Sequence, residues 1–203
     1  MIQINEAMNL VVPVVTDETG VRVWGYHTPI SRQVFEANYR VLAATKASLM
    51  SKGAMYMMDS GPRIAGLTLL DEGLREAESR GRFSKDGKTV LDEATPALMA
   101  EIRRLTMVLV PGPGGWDLLP IESAVAAGKI DEEDQAEAES AIVFFTCICA
   151  LASKSERKDQ ASRTATLLKG SITSLSPTEF SDSLPKSTPG ATSAPKVVSS
   201  VPS

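Results

Sequence analysis

The sequence predicts a mainly α protein: an N-terminal β-hairpin packed on a bundle of about four helices, with a flexible C-terminal tail. Three observations predict it. β-rich runs are confined to the first 30 residues. Apolar residues then recur at helical spacing in several stretches up to about residue 170. From Ser171 to Ser203, Ser, Thr and Pro make up more than half of the residues, a composition that favours a solvated, extended chain. The organisation is therefore a hairpin region over 1–30, a helical body over 31–170 and a tail over 171–203. A chain of 203 residues is long enough for one core of ordinary size.

In the hairpin region, "NLVVPVV" (9–15) and "VRVWGYHTPI" (21–30) flank "TDETG", whose Asp17 and Gly20 suit a turn. Pro13 has no N–H to donate, which pushes the first strand toward a sheet edge or a bulge. An edge there is either covered or a docking site.

The helices follow in order. Ser31 fits an N-cap, and Phe35, Leu42 and Leu49 share a face with Val34 and Val41 beside them, giving a helix over 31–51. Gly53 stops it. "AMYMMDSGP" is a Met-rich connector, and Pro62 opens a second helix over 62–79 whose core face is Leu67, Leu70, Leu74 and Ala77. "RGRFSKDGKT" (80–89) reads as an exposed loop. Thr95 as a cap, Pro96 in the first turn and the stripe Leu98, Ile102, Leu105 and Leu109 predict a third helix over 95–110 that ends at Pro111. The loop "PGPGGWDLLP" comes next, then a short helix over 120–128. A long helix capped by Asp131 runs to about 153. Its acidic amino end and the basic residues after its carboxyl end suit the helix dipole. Its second half is apolar all round, which marks it as the central helix. Residues 156–170 extend the helical region as far as Gly170.

Catalytic readings find little support in the residues. "VPGPGGW" is glycine-rich but lacks the Gly-Lys-Ser/Thr ending of a phosphate loop, and its prolines remove amide donors; it reads as a turn packed by Trp116. His27 is the only histidine, which excludes a two-histidine mechanism within one chain; it could serve alone as a base, but no motif supplies a nucleophile and an orienting acid, which favours a strand or turn residue. Cys147 and Cys149 diverge by about 200° on a helix and read as buried thiols. The acids of 131–139 lack calcium-loop spacing and read as a solvated helix start. No cofactor or metal is called. The methionines 50, 55, 57 and 58 suit either core or oligomer packing, or an adaptable client surface.

A net charge of −4 argues against generic nucleic-acid binding, because phosphate contacts need a basic footprint. The apolar run 141–152 falls short of the roughly 20 residues that span a bilayer. "MIQINEAMNL" does not resemble a secretory signal, so the expected location is cytoplasmic.

The pieces "NEAMNLVVPV", "TPISRQVFEANYRVLAATKASL", "ALMAEIRRLTMVLVPGPGGWDLLPIESAVAAGKIDEED", "AIVFFTCICALASK" and "SITSLSPTEFSDSLPKSTP" cover most of the chain in order. In overall character they resemble the tail assembly chaperones, or equivalent small tail proteins, of long-tailed bacteriophages. The resemblance implies a non-enzymatic factor of the host-cell cytoplasm. It would keep the tape-measure protein soluble and help tail-tube protein assemble around it. It supplies no catalytic residue. Two alternatives stand beside it: a structural tail or neck component retained in the virion, and an enzyme with a composite site. A homo-oligomer is compatible with each.

Within the tail, "SLSPTEFSDSLP" (174–185) is either wholly disordered or forms one helical turn begun by Ser176, Pro177 and Glu179. That turn would bring Phe180 and Leu184 onto one face as a partner contact.

Overall fold

The computed structural model describes residues 7–185. Strands β1 (Asn9–Asp17) and β2 (Gly20–His27) form the expected hairpin. Asp17 Oδ1 accepts from the Thr19 N–H and hydroxyl at 2.7 and 2.6 Å, which shapes the turn. The register jumps between Pro13 opposite Trp24 and Val15 opposite Val23. This bulge lies beside Pro13, a position where a missing ladder donor is tolerated.

Helix α1 (Arg32–Ser51) starts where Ser31 Oγ accepts from the Val34 N–H, and it buries Val41, Leu42, Thr45 and Leu49. The Met-rich connector is itself a short helix, α2 (Ala54–Asp59), which leads into α3 (Gly61–Ser79). The buried column of α3 is Gly61, Ala65, Leu69, Gly73 and Ala77. Leu67, Leu70 and Leu74, expected in the core, point outward instead. Small residues at every fourth position let neighbouring elements approach the α3 backbone closely. A Cβ at Gly73 would overlap Thr95 Oγ1 and Asp92 Oδ2.

Helix α4 (Ala94–Arg104) is capped not by Thr95 but by Asp92, whose Oδ1 accepts from the Ala94 and Thr95 N–H groups at 3.1 Å each. The expected third helix stops at Arg104. Its last turn and the loop after it form a second hairpin, β3 (Thr106–Gly112) and β4 (Gly115–Pro120). Val108 and Val110 join the core on the helix side, while Leu109 faces the other way. This alternation at period two outweighs the helical spacing from Leu105 to Leu109. Helices α5 (Ile121–Ala126) and α6 (Glu132–Ala150) come next. The Asp134 N–H donates to Asp131 Oδ1 at 2.8 Å, and the Asp131 N–H to Asp134 Oδ2 at 3.2 Å, which closes a capping box. As expected, α6 is the central helix: α1, α3, α4, α5, β1 and α7 (Arg157–Leu167) all pack on it.

The chain then returns to the sheet. Strand β5 (Ser171–Thr173) pairs antiparallel with the free edge of β1, and α8 (Pro177–Ser183) lies on the face opposite the other helices. The five-stranded antiparallel sheet has the order β4-β3-β2-β1-β5. The fold is therefore a mixed α/β one, not a mainly α bundle with a single hairpin. The segment 171–185 is part of that fold rather than a flexible tail. β1 has an edge to complete, and the sheet's second face carries Trp24, Tyr26, Leu109 and Trp116, which need apolar cover. The rest of the expected tail, 186–203, lies outside the described residues.

Candidate functional site

Phe180 and Leu184 do share a face, and their contact is with their own chain. Ser176 Oγ accepts from the Glu179 N–H at 3.3 Å, and a Glu179 carboxylate oxygen accepts from the Ser176 N–H at 2.8 Å. This capping box, with Pro177 in the first turn, starts α8 as the sequence suggests. The two apolar side chains then meet a platform of Val11, Trp24, Tyr26, Leu109, Trp116 and Leu118. The Phe180 and Tyr26 ring centroids are 5.9 Å apart with planes tilted by 46°, a favourable aromatic geometry.

Polar contacts hold the ends of this strap. The Leu175 carbonyl accepts from Asn9 Nδ2 at 2.9 Å and also from the Tyr26 hydroxyl. Trp116 Nε1 donates to the Pro185 carbonyl at 3.0 Å, and Ser181 Oγ donates to the Trp116 carbonyl at 3.3 Å. Burial pushes the Tyr26 phenol up to about 12, and the Glu179 carboxylate adds to the shift. Sequence reading found the motif but not the platform. The strands that build it lie about 90 residues apart; the alternation of Trp24 with Tyr26 and of Trp116 with Leu118 was the available signal.

Further apolar side chains are exposed on α1, α2 and α3. Leu67, Leu70 and Leu74 are 71%, 40% and 47% exposed, and Met50, Met55 and Met58 are also exposed. On α3 the three leucines point away from the buried column, which leaves them exposed among the described residues. Met57 alone of the four methionines packs against the core.

A groove of about 690 Å³ lies between the start of α1 and the end of α6, lined by Phe35, Phe145 and Cys149 together with Arg32, Lys154 and Arg157.

The chemically versatile residues are withdrawn from solvent. His27 is fully buried at the end of β2, and burial lowers its imidazolium pKa to about 3. Burial pushes both thiols, Cys147 and Cys149, up to about 12, which disfavours the reactive thiolate at neutral pH. "VPGPGGW" is the β3–β4 turn, and Trp116 packs on the outer sheet face. Of the acids of 131–139, Asp131 and Asp134 form the capping box, Glu132, Glu133 and Glu137 are exposed, and Glu139 turns inward to grip Arg103 at 2.7 and 2.9 Å. Among the described residues, no three His, Cys, Asp or Glu side chains converge as a metal site. Nor is any helix there long and apolar enough to cross a membrane. Comparison with protein-family models, curated proteins and solved structures finds no match for this chain.

Proposed function

We propose that this chain is a non-enzymatic assembly factor of the phage tail assembly chaperone type. It covers apolar helical segments of a tape-measure protein while tail-tube subunits gather around them. The observation that carries the reading is the outward ridge of Leu67, Leu70 and Leu74 on α3, together with the exposed Met55 and Met58 of the preceding helix α2. Leucines at i, i+3 and i+7 form a continuous strip on a helix, and flexible methionines adapt to varied apolar partners. Such a strip suits an amphipathic client helix laid against it. The burial of His27 and both cysteines supports a role in binding rather than catalysis.

The test is co-expression with the long helical tail protein, reading its soluble fraction. The wild-type chain raises that fraction, and L67E/L70E/L74E loses the effect while keeping its own solubility and circular dichroism spectrum. Failure of the wild-type chain to raise it rejects the function. Unchanged rescue by the triple variant rejects the leucine ridge. Stoichiometric amounts of the protein in purified mature particles would favour a structural component instead.

A further inference from the structure

The strap contacts its platform in a way that many other chain segments could reproduce. Three hydrogen bonds from the body go to the main-chain carbonyls of Leu175 and Pro185, which any segment offers. Three residues pair with the edge of β1 by main-chain bonds alone. On the outer face only Phe180 and Leu184 enter as apolar anchors, while Ile172 of β5 packs on the helix-side core. This is the pattern of peptide recognition: strand addition supplies affinity, and pockets for a few side chains supply selectivity.

The platform does not depend on the strap for its construction. Tyr26 sits on β2, which is paired on both sides, and Trp116 belongs to the β3–β4 hairpin. The strap does depend on the platform. A helix of seven residues is too short to persist alone in water. It leaves the body at Lys169, a non-glycine residue held at φ 55°. The next residue, Gly170, passes so close to the Val11 carbonyl that a Cβ there would overlap it.

We propose that the outer sheet face and the adjoining edge of β1 form a two-part recognition site for a partner protein's segment. That segment is three extended residues followed by a capped helical turn presenting Phe and Leu four positions apart. Residues 171–185 fill the site in cis and are displaced when a partner segment of this chemistry arrives. The inference does not rest on the assembly-factor reading, because it concerns what the face recognises and can be tested with the chain alone.

The probe is a fluorescein-labelled peptide of residues 171–185, followed by anisotropy on the full chain. F180A/L184A, which frees the face, binds the peptide at least tenfold more tightly than wild type does. Adding W116A to that variant abolishes the gain. S176A/E179A keeps every anchor and the whole platform, loosens only the start of α8, and gives an intermediate gain. In that variant amide exchange over 177–184 accelerates several-fold while α6 is unchanged. Equal peptide affinity for wild type and both strap variants, in monodisperse protein with native circular dichroism, overturns the proposal. Wild-type dimers that exchange the strap between copies also overturn it, since the occupant would then be a second copy.

Discussion

His27 Nδ1 lies 3.0 Å from Thr106 Oγ1, and that hydroxyl spends its one proton on the Ile102 carbonyl at 2.7 Å. Nδ1 must therefore carry the proton and donate it, which leaves Nε2 as a bare, buried acceptor without a partner. A second proton there would create an uncompensated charge in the core. The folded-state pKa of about 3 is below the ordinary 6.5, so this stabilising contribution is complete above pH 6.5 and is lost as pH falls toward 3. Urea unfolding between pH 7 and 4 should show that fall. H27N should show a flatter one, starting about 1–2 kcal/mol lower at pH 7 because the smaller side chain leaves a cavity.

Tyr26 gives the opposite edge of the pH profile. Its neutral phenol donates to Leu175, and its pKa in the fold is about 12 against an ordinary 10. The contribution is complete below pH 10 and is lost between pH 10 and 12. Y26F should lose about 1 kcal/mol at neutral pH and show no such alkaline loss, as read by thermal unfolding at stepped pH.

Two glycines about two turns apart on α3 should respond oppositely to alanine. Gly73 meets Thr95 and Asp92 with no room for a Cβ, so G73A should cost about 1–3 kcal/mol by forcing α3 and α4 apart. A Cβ at Gly66 would make ordinary contact with Ser140 at 3.7 Å. G66A should therefore be neutral or stabilising by up to about 1 kcal/mol through helix propensity. Denaturant titration separates the two.

Arg103 and Glu139 join α4 to α6 by two parallel hydrogen bonds, and Gln135 Nε2 adds a third to Glu139 at 2.6 Å. Glu139 is 7% exposed, so R103M strands its charge and should cost about 2–3 kcal/mol. R103M/E139L should recover much of that loss. A double-mutant cycle in urea measures the coupling.

The leucine ridge should be nearly silent in stability. L67K and L74K replace side chains on the solvent face of α3, so each should change the unfolding free energy by no more than about 0.5 kcal/mol. A larger loss in denaturant titration would mean that these leucines are covered in solution.

Local signals in the sequence were reliable where the chain interacts with itself nearby. The caps at Ser31, Asp131 and Ser176, the Asp17–Gly20 turn and the apolar second half of α6 are all encoded within a few residues. The misreadings share a cause, which is that distant partners decide. Leu109 fits a helical stripe counted from Leu98, yet β2 stands ready to pair with it through Trp24. Leu67, Leu70 and Leu74 make a stronger apolar face than Ala65, Gly73 and Ala77, but only the small residues let neighbouring elements approach closely. The Ser/Thr/Pro-rich composition after Gly170 hid β5 and α8 because their stability comes from the platform, not from their own composition. Phe180 and Leu184 were legible as a pair; the surface they face was not.

The pairing of β1 with β5 also sets a schedule for synthesis. The side chain of Asn9, once made, waits for the carbonyl of Leu175, 166 positions later. At roughly 5–20 residues per second, translation leaves that strand edge open for about 10–30 s on every nascent chain. An unpaired apolar edge of this kind invites other chains to add to it. During that interval the growing protein itself needs protection, and the strap that ends it is the last of the described elements to emerge.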